Sequence, residues 1–282
     1  MVHDDNSTAI LRLRQACMPT VRYWMETEVH VYAFSIAANV LLSFYPFLIV
    51  MVSLCRYVLH WRGAEDAILL ALHDYFPGAV GEFVGRNLLV TVADRGPLQV
   101  VSIALLFFTA NGVFEPLEVA LNRAWGITKN RSFFRNQVVS LGLIFVVGAL
   151  VLLSAILTSA NQELALRLTG GFEVAANFVR LVVFKVFAFL VSILILFLVY
   201  WLLPNRRMPA RRVLPVAVGV GFALELLKYI NLLTLPWFYE KLSHEYGVFR
   251  NSVAIVLWSF LAAMVVLAGA EWSARRNVQA RS

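Results

Sequence analysis

Two sets of polar side chains interrupt long apolar stretches of the sequence. Asn111, Glu115, Glu118 and Asn122 follow one another at spacings of four, three and four, which puts them in one stripe along a helix. Glu225 and Lys228 are three apart and can meet across one helical turn. In a bilayer each ionisable group costs about 2.5–3.5 kcal/mol on insertion scales, so each asks for a partner or a wet cavity. Carboxylates beside amides, and a carboxylate beside an ammonium, can bind a polar headgroup or an ion. They supply no nucleophile with a base and an orienting group, so no enzymatic activity is expected. Plainer alternatives stay open at this level: Glu225 and Lys228 as a pair that only neutralises itself, and the stripe as a helix end reaching for the interface.

Other residue types narrow the chemistry further. His3, His30, His60, His73 and His244 are scattered with no two at metal-ligand spacing, and neither Cys17 nor Cys55 belongs to a ligand pair. No metal or other cofactor is expected. The chain lacks a Gly-x4-Gly-Lys-Ser/Thr loop, so any ATP-driven step would need a partner subunit. In the run SFYPF, Pro46 is expected to kink its helix and free a backbone carbonyl that Ser43 helps to satisfy.

The elements that must carry these residues are long and apolar. Of 282 residues 60% are hydrophobic and 15% charged, against about 45–50% and about 25% in soluble domains. Six runs are long enough to cross a bilayer: Val31–Cys55, Leu98–Leu121, Val138–Ala160, Leu181–Leu203, Val213–Leu235 and Val253–Ala270. Proline cannot continue a helix, so Pro204 is expected to close the fourth. The class is therefore an all-α integral membrane protein with six transmembrane helices.

Charge sets the orientation. The N-terminal tail, the second and fourth loops and the C-terminal tail hold 14 Lys and Arg, while the opposite side holds 8. Basic residues favour the cytoplasmic side, so both termini are expected there, and the net charge of +7 reads as topology and not as a nucleic-acid surface. Residues 1–30 form a cytoplasmic segment, 31–272 the membrane domain and 273–282 a cytoplasmic tail. No secretory signal is expected, because the first span itself directs insertion. Residues 56–97 form an external loop with two amphipathic helices, one presenting Ile68, Leu69, Leu72, Tyr75 and Phe76, the other Phe83, Val84, Leu88, Leu89 and Val92. Such helices pad the outer end of the bundle or act as a lid.

Several segments together resemble the YihY/virulence factor BrkB family of bacterial inner-membrane proteins, formerly labelled ribonuclease BN. They are AFSIAANVLLSFYPFLIVMVSL, GVFEPLEVALNRAWGI, VYWLLPNRRMPARRVLPVAVGVGFALELLKYI and EYGVF followed by VLWSFLAAMVVLAGAEW, spread over Val31 to Trp272. The resemblance implies six transmembrane helices with cytoplasmic ends, and an activity suspected to be export or flipping of envelope lipids. The ribonuclease label sits poorly with scattered histidines, since a metal-dependent nuclease needs clustered ligands. The leading expectation is thus a transporter in the bacterial inner membrane that translocates a lipid or amphiphile without its own ATPase. Membrane lipids are its partners, and Asn111, Glu115, Glu118, Asn122, Glu225 and Lys228 are the headgroup contacts. The competing expectation is a non-transporting scaffold that binds envelope-assembly proteins through the outer loop.

Overall fold

A computed structural model of the chain describes residues 18–75, 79–93, 97–128, 131–159, 173–206 and 208–279. The described residues are helical with short connections and contain no strand. A helical segment at 18–24 is followed by α1 (Thr27–Ser53), which continues as a π-helix over Leu54–Val58. Next come α2 (Arg62–Tyr75), α3 (Ala79–Ala93), α4 (Pro97–Ala124), α5 (Phe133–Ser159), α6 (Glu173–Leu202), α7 (Ala210–Tyr246) and α8 (Arg250–Gln279).

Among the described residues, four helical segments are long and apolar enough to cross a membrane: Thr27–Val58, Phe134–Leu153, Ala210–Thr234 and Pro236–Arg275. They contain the first and sixth expected spans and overlap most of the third and fifth. The second and fourth fall within α4 and α6, helices of 28 and 30 residues. The side chains of Asn111 in α4 and Lys185 in α6 lie outside the described residues, as do Phe76 and the side chains of Tyr75 and Phe83.

The chain divides into two compact units, one from Met1–Ala38, Val113–Arg131 and Tyr200–Ser282, the other from Asn39–Gly112 and Ser132–Val199. In the second unit, Leu48, Ile49 and Val52 of α1 are buried with Leu72 of α2 and Leu88 and Val92 of α3. Ile68, Leu69 and Val84 pack against this cluster. The two amphipathic helices thus lay their apolar stripes on α1 and on each other, since neither stripe would be covered alone. Close approach of helices needs small residues. Gly112 of α4 supplies one, for a Cβ there would meet the Asn39 Oδ1 at 2.1 Å.

In the first unit α7 packs along α8. Gly269 lets them meet: a Cβ on it would lie 2.3 Å from Val220 and 2.7 Å from the Tyr200 hydroxyl, which donates to the Val266 carbonyl at 2.6 Å. α6 ends at Leu202, just before Pro204, as expected. α7 does not end at Leu235; it continues through Pro236 to Tyr246. A proline removes one helix hydrogen bond, and burial of Leu242 beyond it helps offset that loss. Gly247 stops α7, with φ of 50° in the left-handed region, and Arg250 fastens the turn by donating to Ser243 Oγ at 3.1 Å. Pro46 is buried inside α1, and Ser43 Oγ donates to the Asn39 carbonyl at 2.7 Å. The carbonyl that Pro46 leaves without its usual helical donor is that of Leu42, so Ser43 serves the turn before it.

Candidate functional site

The first-unit polar residues fall into three groups. At the end of α4, the expected stripe divides: Glu115 is exposed, whereas Glu118 and Asn122 are buried. Asn122 Nδ2 donates to Glu118 Oε1 at 3.4 Å, and Asn122 Oδ1 accepts the Asn205 backbone N–H at 2.9 Å. Arg131 donates to the Leu202 carbonyl at 3.0 Å and to the Pro204 carbonyl at 2.7 Å, capping the end of α6. Gly126, with φ of 65°, closes α4 so that the Ile127 N–H reaches the Asn122 carbonyl at 2.8 Å. This end of the stripe ties α4 to the chain after α6. Arg131 was legible only as one more orientation charge, because a carbonyl-capping role needs partners over 70 residues away.

The second group lies on α7. Lys228 Nζ meets Glu225 Oε1 at 2.5 Å, so the expected pair forms. It is not enclosed: the two side chains are 41% and 32% exposed. Lys228 also stands 5.4 Å from the centroid of the Tyr229 ring, a cation–π contact that holds the ammonium from a second side. Phe222, Leu226, Tyr229 and Leu233 beside the pair are all exposed, which makes the pair the edge of an apolar stripe. Three residues on, Asn231 has a buried Oδ1 without a protein hydrogen-bond partner, as have Asn251 Oδ1 and Trp258 Nε1 on α8. Glu225, Lys228 and Asn231 therefore form a polar track that rises about 4.5 Å per step along α7. The sequence reading stopped at Lys228. The same spacing of three would have found Asn231.

The third group lines a cavity of about 300 Å³ formed by the segment at 18–24, the start of α1, the end of α4 and Glu271 of α8. Arg22, Tyr23, Glu26, Glu28, Tyr32 and Arg123 line it, with Glu28 and Arg123 in an ion pair. Glu271, which lies about two turns before the end of α8, is met by Arg275 Nη2 at 2.6 Å. Burial, and then the charges of Glu26 and Glu271, push the Tyr23 phenol up to about 12. Neither Tyr23 nor Tyr32 was singled out from sequence, since the segments that line the cavity lie far apart in the chain.

Comparisons with known proteins give the family. The family model described as virulence factor BrkB matches residues 20–282. The chain belongs to the BrkB family. Among its relatives, a UPF0761 membrane protein of Acinetobacter baylyi is 32% identical over 183 residues, which cover 62% of this chain and 41% of the relative. One from Chlorobium chlorochromatii is 28% identical over 256 residues, covering 88% and 56%. A ribonuclease-like protein named YfkH from Bacillus subtilis is 29% identical over 244 residues, covering 83% and 85%. The chain thus spans about half the length of the first two. No solved structure matches it. Family, helical class and apolar helices together identify a membrane protein of the BrkB/UPF0761 group.

Proposed function

We propose that this BrkB-family protein translocates a lipid or other amphiphile of the bacterial envelope across the inner membrane, without an ATPase of its own. The observation that carries the reading is the polar track on α7. A charged pair at the middle of an apolar helix, half-exposed beside Phe222, Leu226 and Leu233, offers a headgroup a foothold while acyl chains stay in the hydrocarbon. Asn231 continues the path with an oxygen that has no protein donor. In this reading α4 and α6 also cross, giving six spans with both ends cytoplasmic, and α2 and α3 cover the outer end of α1.

Reconstitution into liposomes with fluorescent lipid analogues tests it. Faster exchange between leaflets than in protein-free vesicles, reduced by Glu225→Gln and by Lys228→Met, is the expected result. Folded protein that accelerates no lipid tested overturns it. A scaffold for envelope assembly is the second reading, favoured by the firm seating of α2 and α3 on α1. It requires that changes on the exposed side of α2, such as Leu70→Glu, abolish the cellular phenotype while Glu225→Gln and Lys228→Met leave it intact.

A further inference from the structure

A second cavity, of about 660 Å³, lies in the other unit where the π-helix meets α2. Its volume falls in the ~300–1,000 Å³ range of small-molecule sites. Arg56, Tyr57, His60, Trp61, Arg62, Glu65 and Asp66 line it, and none of them belongs to the polar track. The backbone there departs twice from regular helix. Residues 54–58 take the π form, in which one residue is added to the turn, and such turns recur at functional sites. His60 then adopts φ of 51°, the sole positive φ of a non-glycine residue among those described. Together these turn the chain back, and the Trp61 N–H reaches the Cys55 carbonyl at 3.0 Å.

The lining charges sort themselves. Arg56 is committed: its Nε donates to Glu65 Oε2 at 3.1 Å and its Nη2 meets Glu65 Oε1, closing a two-pronged pair in which the carboxylate is nearly buried. Tyr57 is committed too, its hydroxyl donating to the Val92 carbonyl at 2.7 Å. These two interactions build the wall. Left facing the space are Arg62 as an anion binder, Asp66 as a cation binder, and the half-exposed Trp61 indole as a surface for a cation, while His60 spends its Nδ1 on the Val58 carbonyl at 3.2 Å. A lining with one guanidinium, one carboxylate and an aromatic face suits a ligand that carries both signs.

We propose that this cavity binds a zwitterionic phosphate–ammonium headgroup, the phosphate on Arg62 and the ammonium between Asp66 and the Trp61 ring. The exposed Val58, Leu59 and Trp61 give the rim an apolar border. That border favours a lipid as the source of the headgroup over a free small zwitterion. Binding here does not require that the protein translocate anything, so the site stands apart from the reading given above.

The test uses the full chain in detergent micelles and follows the rise in melting temperature with added ligand. Phosphatidylethanolamine is expected to stabilise the protein at about tenfold lower concentration than phosphatidylglycerol, which has the phosphate but no ammonium. Asp66→Asn should remove that preference, and Arg62→Gln should weaken both lipids about tenfold, one charge-assisted contact being lost. Both positions are exposed, so folding is checked by gel filtration and Trp61→Ala serves as a third variant, expected to weaken phosphatidylethanolamine alone. Glycerophosphoethanolamine, the same headgroup without chains, should bind far more weakly; if it binds as tightly as the lipid, the source is a free zwitterion and the lipid assignment fails. Equal response to the two lipids, or wild-type affinity in all three variants, overturns the site.

Discussion

Lys228 is held from two sides, by the Glu225 carboxylate at 2.5 Å and by the Tyr229 ring, yet 41% of the Lys228 side chain and 32% of the Glu225 side chain remain open. That openness decides how charge removal should act. Stranding one charge in dry protein costs about 3–5 kcal/mol, but a survivor that reaches water or headgroups is solvated. Glu225→Gln and Lys228→Met should therefore each fold with near wild-type melting temperature, and both singles and the double should lose most lipid exchange in liposomes. Two misfolded singles rescued by a stable, active double would show instead a pair that merely neutralises itself. Tyr23 gives a second test. Its folded phenol ionises near 12 because of burial and neighbouring acids, against about 10 in the unfolded chain. The stability this group lends is fully present below pH 10 and is lost as pH rises toward 12, since only the unfolded state then releases the proton readily. Tyr23→Phe should flatten the fall in melting temperature between pH 10 and 12. At this scale the sequence disclosed residues whose partner is three or four away, Glu225 with Lys228 and Glu118 with Asn122. It concealed Tyr23, Arg131 and His60, whose roles come from distant partners or from a backbone dihedral that no spacing announces.

Helices were the most legible feature, because uncharged runs of this length and the two amphipathic stripes of residues 62–93 have few other solutions. Their lengths were less so. The fifth apolar run ends at Leu235, yet α7 runs eleven residues beyond it, through Pro236, for hydropathy along the chain carries no knowledge of what the continuing turns bury. Which small residue meets which helix was not legible. Gly269 is one of three small residues in the run AGA, and only the fold shows that its missing Cβ is filled by Val220 and the Tyr200 hydroxyl. Gly269→Ala should overpack this crossing and lower stability by about 1–3 kcal/mol, as insertions into tight cores do. Gly142→Ala, where a Cβ meets nothing within 4 Å, should be neutral or slightly stabilising, because alanine is the better helix former. Thermal unfolding of the two variants in the same detergent makes the comparison. Equal melting temperatures would remove the argument that α7 and α8 meet through Gly269.

Topology is where charge, length and packing have to agree over the whole chain, and it turns on α4. The helix has 28 residues, about 42 Å at 1.5 Å per residue, enough for a hydrocarbon core about 30 Å thick. If α4 crosses, the loop after it, with Arg123, Lys129, Arg131 and Arg135, lies in the cytoplasm as basic loops prefer. Were the four segments Thr27–Val58, Phe134–Leu153, Ala210–Thr234 and Pro236–Arg275 the sole spans, the same loop would stand outside with four basic residues on the disfavoured side. With the N-terminus inside, as the basic loops predict, Leu59 falls outside in both arrangements, so it calibrates the labelling. In a background of Cys17→Ser and Cys55→Ala, a cysteine replacing Leu59 should react with a membrane-impermeant maleimide on intact cells, Leu59 being exposed. One replacing Thr128, also exposed, should react only after permeabilisation. Labelling of Thr128→Cys in intact cells would take α4 out of the membrane and with it the six-span arrangement. The polar track on α7 would survive that result, since α7 crosses in either arrangement, but its Asn231 end would still have to open outward for a headgroup to leave on the far side.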